Sequence, residues 1–316
     1  MREQPAARVR RSVRLDITGR VMTFFVVVVV LAACGTGAAG SAPADGVIRV
    51  VATTTVLADM ARQVGGDAVD VVSLVPPGGE VHTFDPTPSD LSTVGDADLV
   101  LMNGLGLDDW LGALVGDSGS DATVIALGED LEGFTYLSGD EGEEVNPHLW
   151  LDVEAGIRYA ERIGEALAAA DPERADAFGA GTTAYVARLQ ELDTWARDQI
   201  EAIPAADRRI VSVHEAFPYF AAAYGLEIVG TVVEAPGQDP SAGEIAALVE
   251  AIRGSGARAL FGEGQFSPEL AETVAAEAGI TVESNLYNDS LGEAPADTYE
   301  GMIRWDVERV VAALER

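Results

Sequence analysis

Histidine occurs only three times in the 316 residues, at His82, His148 and His214. His82 lies in a proline- and glycine-rich loop, Pro76 to Pro88. His148 lies in Asn146-Pro147-His148-Leu149-Trp150-Leu151-Asp152, and His214 directly follows the apolar run Arg209–Val213. Asp289 sits in Asn288-Asp289-Ser290, just past the last such run. Neutral imidazole is a good ligand for zinc and other late divalent metals, and a carboxylate adds one negative charge. Three nitrogens and one carboxylate complete a four-coordinate zinc ion, leaving no position for a reacting water. Such a set would hold a metal rather than activate water on it. Taken singly, a loop histidine is more often a surface or capping residue, and Asn-Asp-Ser is good turn chemistry. The residues by themselves leave both readings open.

The elements that must position these residues are short β-branched runs. Val47–Ala52, Val69–Val75, Asp98–Met102 and Thr123–Leu127 form one group; Arg209–Val213, Leu226–Val233, Ala257–Gly262 and Ile280–Glu283 form another. Runs this apolar suit strands buried on both faces of parallel sheets. Helical patterns such as Leu57–Val64 and Ile245–Arg253 fall between them, which predicts an α/β architecture. Between the groups, Asp171-Pro172 offers an N-cap with proline at the first helical position. Tyr185, Leu189, Leu192 and Trp195 then recur at helical spacing towards Pro204. A helix of about 30 residues would span roughly 45 Å and act as a stiff link. The expected organisation is two α/β domains, each a mostly parallel four-stranded sheet with flanking helices, at 47–170 and 205–316. One long rigid helix, 171–204, joins them. His82, His214 and Asp289 all follow a strand's carboxyl end, where open α/β sheets bind ligands. Two of the four residues come from each half, so a shared site would lie between the domains.

The N-terminus reads as a processing segment. Six arginines precede an apolar run, Val21 to Ala33 interrupted only by Thr23, too short for the ~20 residues of a spanning helix. The exit Leu31-Ala32-Ala33-Cys34 resembles a bacterial lipobox, so 1–33 is expected to be a lipoprotein signal peptide and Cys34 the lipidated residue. Residues 34–46, rich in Gly, Ala and Ser, read as a flexible tether. Cys34 is the single cysteine, which excludes an intramolecular disulfide and a cysteine-rich zinc site. The net charge of −32 becomes −36 once the leader's six arginines and two acids are gone. All 20 basic residues are arginine. A chain this acidic is a poor nucleic-acid binder, and its field concentrates cations. No P-loop is present, so any ATPase is a separate chain.

Four strings are similar, in order, to the ligand motifs of the zinc/manganese solute-binding lipoproteins of ABC importers, the cluster A-I family. They are Gly78–Asp90, Asn146–Asp152, Ser212–Phe220 and Leu286–Leu291 followed by Tyr299–Met302; the segment Phe261–Ala278 also resembles the family. The resemblance spans roughly Val47 to Leu314. It implies two α/β domains joined by a rigid helix, a metal held by His82, His148, His214 and Asp289, and no enzymatic activity. It further implies a chain anchored through Cys34 to the outer face of the cytoplasmic membrane, acting as a monomer. Delivery would be to an ABC permease driven by a cytoplasmic ATPase.

Two departures matter. Many zinc importers of the family carry a His-rich loop between the first two ligands; here that stretch ends in Asp140, Glu141, Glu143 and Glu144 instead. Some manganese-binding members have Glu where this chain has His214. Histidine favours zinc over manganese, so Zn2+ is expected, with Mn2+ as the alternative. Glu215 and Glu263 are the candidates should a further carboxylate join the shell. Competing readings are an extracytoplasmic zinc hydrolase, with Glu215 or Glu263 as base, a chelate-binding protein on a similar fold, and a metal-binding surface adhesin.

Overall fold

The eight apolar runs form eight strands, in two sheets that repeat one topology. The computed structural model describes residues 46–139, 145–233 and 236–315, without 238, 265 and 267 and without the side chains of 284 and 285. Cys34 with its leader, and the acidic run Asp140, Glu141, Glu143 and Glu144, lie outside the described residues. The first half runs β1 (Ile48–Ala52), α1 (Thr55–Gly65), β2 (Val69–Ser73), α2 (Pro88–Gly95), β3 (Leu99–Met102), α3 (Trp110–Ser118), β4 (Thr123–Ala126) and α4 (Val153–Ala170). The long helix α5 (Ala175–Glu201) follows. The second half runs β5 (Arg209–Ser212), α6 (Pro218–Tyr224), β6 (Glu227–Thr231), α7 (Ala242–Ser255), β7 (Ala259–Glu263), α8 (Pro268–Ala278), β8 (Thr281–Leu286) and α9 (Tyr299–Leu314).

The strand orders are β2-β1-β3-β4 and β6-β5-β7-β8, and every pairing is parallel. The order reverses between β1 and β3, and again between β5 and β7. Such switch points are where loops part and leave a crevice at the carboxyl edge. Alternate residues of the central strands enter different cores. Val50 and Ala52 face the large central cluster while Val51 faces a smaller outer one; Ala259 and Phe261 face the centre while Leu260 faces outward. That two-sided burial is why these strands read as unbroken apolar runs.

The central cluster is shared by both halves, running from Val50 and Leu57 through Tyr185, Leu189 and Leu192 to Phe220, Phe261 and Tyr299. Helix α5 packs against α1 and α4 of the first half and α6 and α9 of the second. At 27 residues it is about 40 Å long. It starts later than the sequence pattern suggests, because Asp171 caps a short 3-10 turn, Pro172–Arg174, instead. Gly181 lets it lie against the backbone of α1, since a Cβ there would collide with the Val64 carbonyl. Trp195, expected in the buried stripe, is only half-buried, with the Arg304 guanidinium 4.8 Å from its ring centre. Helix α9 returns across the first half: the Tyr299 N–H donates to Asp59 Oδ2 at 2.8 Å. Among the described residues no helix is long and apolar enough to cross a membrane.

The loop carrying His82 ends in a capping box. The Thr87 hydroxyl accepts the Asp90 N–H, and Asp90 Oδ2 accepts the Thr87 N–H at 2.7 Å. Thr87→Ala should cost about 1 kcal/mol, read as a lower urea midpoint of the metal-free protein. An unchanged midpoint would show that the box contributes nothing to this loop.

Candidate metal centre

Four side chains meet at the carboxyl edges of the two sheets. His82 comes from the loop after β2, and His148 caps a 3-10 turn, Leu149–Leu151, ahead of α4. His214 follows β5 by two residues, and Asp289 follows β8 by three. Proline at 147 and the buried Asn103, whose amide donates to the Pro147 carbonyl at 3.0 Å, fix the chain entering His148. Asn103 is itself held by the Tyr159 hydroxyl at 2.6 Å and by its own N–H to the buried Asp108 at 2.7 Å.

The ligand-capable atoms lie within 4.8 Å of one another. His148 Nε2 is 3.3 Å from His82 Nε2 and 3.4 Å from His214 Nε2. Asp289 Oδ1 is 3.4 Å from His148 Nε2, and Oδ2 is 3.6 Å from His82 Nε2 and 3.9 Å from His214 Nε2. Ligand atoms at zinc bond lengths of about 2.0–2.1 Å around a tetrahedron sit roughly 3.3 Å apart. The observed edges are therefore the size of a coordination shell. His148, His214 and Asp289 are buried, whereas the His82 side chain is 20% exposed and marks the approach from solvent. A cavity of about 210 Å³ adjoins the histidines, with Glu215, Asn146 and Leu105 also on its wall.

The opposite ring nitrogens are held in place. Asn146 Nδ2 donates to the Glu215 carbonyl at 2.7 Å, which turns its Oδ1 to His148 Nδ1 at 3.1 Å. His148 Nδ1–H therefore donates, leaving the Nε2 lone pair facing the cluster. His214 Nδ1–H contacts Glu263 Oε2, with the same result. Glu263 thus stands behind His214, on the nitrogen turned away from the cluster, and not among the converging atoms. Glu215 is outside the converging group and lines the cavity. The Trp150 ring lies 5.4 Å from that of His148, and its N–H donates to the Asn288 carbonyl at 2.9 Å. That bond ties the segment carrying His148 to the loop carrying Asp289.

Electrostatics follow the same plan. Burial lowers His82 to about 4, against the opposing pull of Asp289, and lowers His148 too, so both are neutral and ready to ligate at neutral pH. Burial also works against a charged His214, but the Glu263 carboxylate outweighs it and pushes the group up to about 9. For Asp289 burial opposes ionisation, yet the hydrogen bond and charge of His148, with the other two histidines, hold it down at about 2. Glu80 had no role in the sequence reading. It accepts the His82 N–H at 2.9 Å and is pushed up to about 7, first by burial and then by Asp289. Asn146 and Asn288 were also missed as supports, although each stands within two residues of a candidate ligand.

The family described as zinc-uptake complex component A, periplasmic, matches residues 50–313. The manganese-binding lipoprotein MntA of Halalkalibacterium halodurans is 32% identical over 298 residues, 93% of this chain and 98% of that protein. The iron ABC transporter substrate-binding lipoprotein MtsA of Streptococcus pyogenes is 30% identical over 308 residues, 94% and 98% of the two chains. Among solved structures, the periplasmic zinc-binding protein TroA from Treponema pallidum superposes with a TM-score of 0.80 at 28% identity, covering 86% of this chain and 100% of that one. With the same two-sheet frame and a match along nearly its whole folded length, the chain belongs to the zinc-uptake complex component A family, the metal-binding components of ABC importers rather than enzymes.

Proposed function

We propose that this protein captures one divalent transition-metal ion in the set His82, His148, His214 and Asp289, and hands it to an ABC permease driven by a cytoplasmic ATPase. The observation that carries the reading is the convergence of three Nε2 atoms and one carboxylate, from four separate loops, within 4.8 Å of one another. Zinc ranks before manganese, because three imidazoles suit zinc and manganese prefers more oxygen. One feature favours manganese as the second reading. Both Asp289 oxygens face the histidines, so a larger ion could take the second oxygen as a fifth ligand. All four groups come from one chain, which supports a protein acting as a monomer.

The proposal extends to the anchoring. Residues 1–33 are read as a leader, Cys34 as the lipidated first residue, 34–46 as a tether, and 47–170 and 205–316 as the two domains flanking the link at 171–204. The relatives named above are lipoproteins, which supports attachment to the outer face of the cytoplasmic membrane. Cys34→Ala should move the protein from the membrane fraction to the soluble one; unchanged partition would remove the anchor from the proposal.

The metal reading is tested by elemental analysis and by thermal unfolding. One zinc per chain is expected. A thousandfold excess over the dissociation constant stabilises the native state by about 4 kcal/mol, or roughly 10 °C for a chain of this size. Manganese should need a higher concentration for the same shift. Equal shifts at equal concentrations would withdraw the zinc preference, and no shift with either ion would end the metal reading.

A further inference from the structure

Asp289 reaches the site on a loop of the second half, yet that loop is bonded to the first half on both sides of the ligand. After it comes Ser290, whose hydroxyl oxygen accepts the Gly78 N–H at 2.7 Å. The same oxygen lies 3.3 Å from the hydroxyl of Thr55, the first residue of α1. Thr55 Oγ1 in turn accepts the Leu291 N–H at 2.8 Å. Ser290 and Thr55 are both buried. Before Asp289, the Asn288 carbonyl accepts the indole N–H of Trp150 at 2.9 Å.

The partners stand next to the other ligands. Gly78 precedes His82 by four residues in one loop, and Trp150 follows His148 by two. The loop of Asp289 is thus tied to both segments that carry the first-half histidines. Those ties matter because the connection from β8 to α9, residues 287–298, is long. A ligand on a loose loop must be ordered each time an ion binds, and that entropy subtracts from affinity. With the loop held, Asp289 Oδ1 stands 3.4 Å from His148 Nε2 and Oδ2 3.6 Å from His82 Nε2.

We infer that Ser290 and Thr55 are positioning residues for metal binding: their hydroxyls clamp the loop of Asp289 to the loop of His82 and keep the carboxylate at ligating distance. The inference rests on the metal reading of the four residues above. Its test uses zinc in chelator competition and cobalt(II) as a spectroscopic stand-in. Ser290→Ala should weaken zinc about tenfold, the low end of the range for losing a residue that orients a ligand. Most of that loss should appear as faster dissociation into excess chelator. The visible bands of bound cobalt(II), which report the number and geometry of ligands, should change as the carboxylate's hold on the ion loosens. Thr55→Val keeps the shape of the side chain without its hydroxyl and should act in the same direction. Thr55→Ser keeps the hydroxyl and should bind zinc as the wild type does.

A merely structural clamp would lower the unfolding midpoint of the metal-free variants and leave zinc affinity and the cobalt spectrum unchanged. That result overturns the inference. So does a Thr55→Ser variant that binds zinc as weakly as Thr55→Val, a comparison that decides the matter even if Ser290→Ala does not fold. A wild-type chain that binds neither zinc nor cobalt would overturn the metal reading itself. Wild-type binding matched by every variant would overturn only the role of the two hydroxyls.

Discussion

His148→Ala should all but abolish metal uptake by the purified protein, weakening zinc binding by roughly 10²–10³-fold. The magnitude comes from sharing the ~10–16 kcal/mol of a four-ligand zinc site equally among its ligands. His148 is chosen because its Nε2 lies within 3.4 Å of three partners, the other two histidines and Asp289. It is the vertex through which the cluster is joined. His82 stands at the solvent edge, with its side chain 20% exposed, and water can take over its position more readily. His82→Ala should therefore weaken binding less than His148→Ala does. Isothermal titration with a competing chelator measures both. Equal losses would mean that burial does not rank the ligands, and full zinc occupancy in His148→Ala would remove it from the shell. The fold should survive the change, because the Pro147 and Trp150 contacts to Asn103 and Asn288 do not involve the imidazole.

What could be read from the sequence divides along physical lines. The central strands were legible because burial on both faces leaves a run such as Leu99–Met102 with no polar member, and the partly exposed edge strands, such as Thr123–Ala126, because they keep β-branched residues. The four converging residues were legible as candidates because three of them lie in the loops after such runs, where a sheet meets its ligand, but it was the ordered resemblance to the family's motifs that singled them out as one set. The role of Glu263 was not legible. It stood out as an acid near the site, but its place behind His214 depends on β5 pairing with β7. Strand order is a property of the assembled sheet and is not encoded in any local pattern. Glu80 escaped for a similar reason, since only the folded loop turns its carboxylate back to the His82 N–H. Helix α9 buries Met302, Ile303, Val307 and Val310. Its job of stitching the first half to the second is visible only once Tyr299 is seen against Asp59 and Trp150. That stitching, with the common core under α5, joins the two halves through buried contacts.

Zinc affinity should fall steadily as pH drops through the neutral range, with about one proton released for each ion bound. The proton is that of His214. Held by Glu263, this group stays protonated up to about pH 9 in the metal-free protein, while a metal ligand must be neutral. Below pH 9 each unit of acid therefore costs tenfold in apparent affinity, about 100-fold by pH 7. His82, lowered to about 4, adds nothing until far more acid conditions. Stability without metal runs the other way. The pKa of His214 is raised above its unfolded value near 6.5, so its contribution is fully present below that pH and is lost as pH rises through 9. Metal-free protein should thus lose stability between pH 6.5 and 9 while the stabilisation added by zinc grows over the same window. Thermal unfolding with and without zinc at pH 6, 7 and 8 reads both slopes. Titration calorimetry in buffers of different ionisation enthalpy counts the proton. Affinity that stays level from pH 6 to 8 would mean that His214 is already neutral when the ion arrives, and that Glu263 orients the ring without holding its charge.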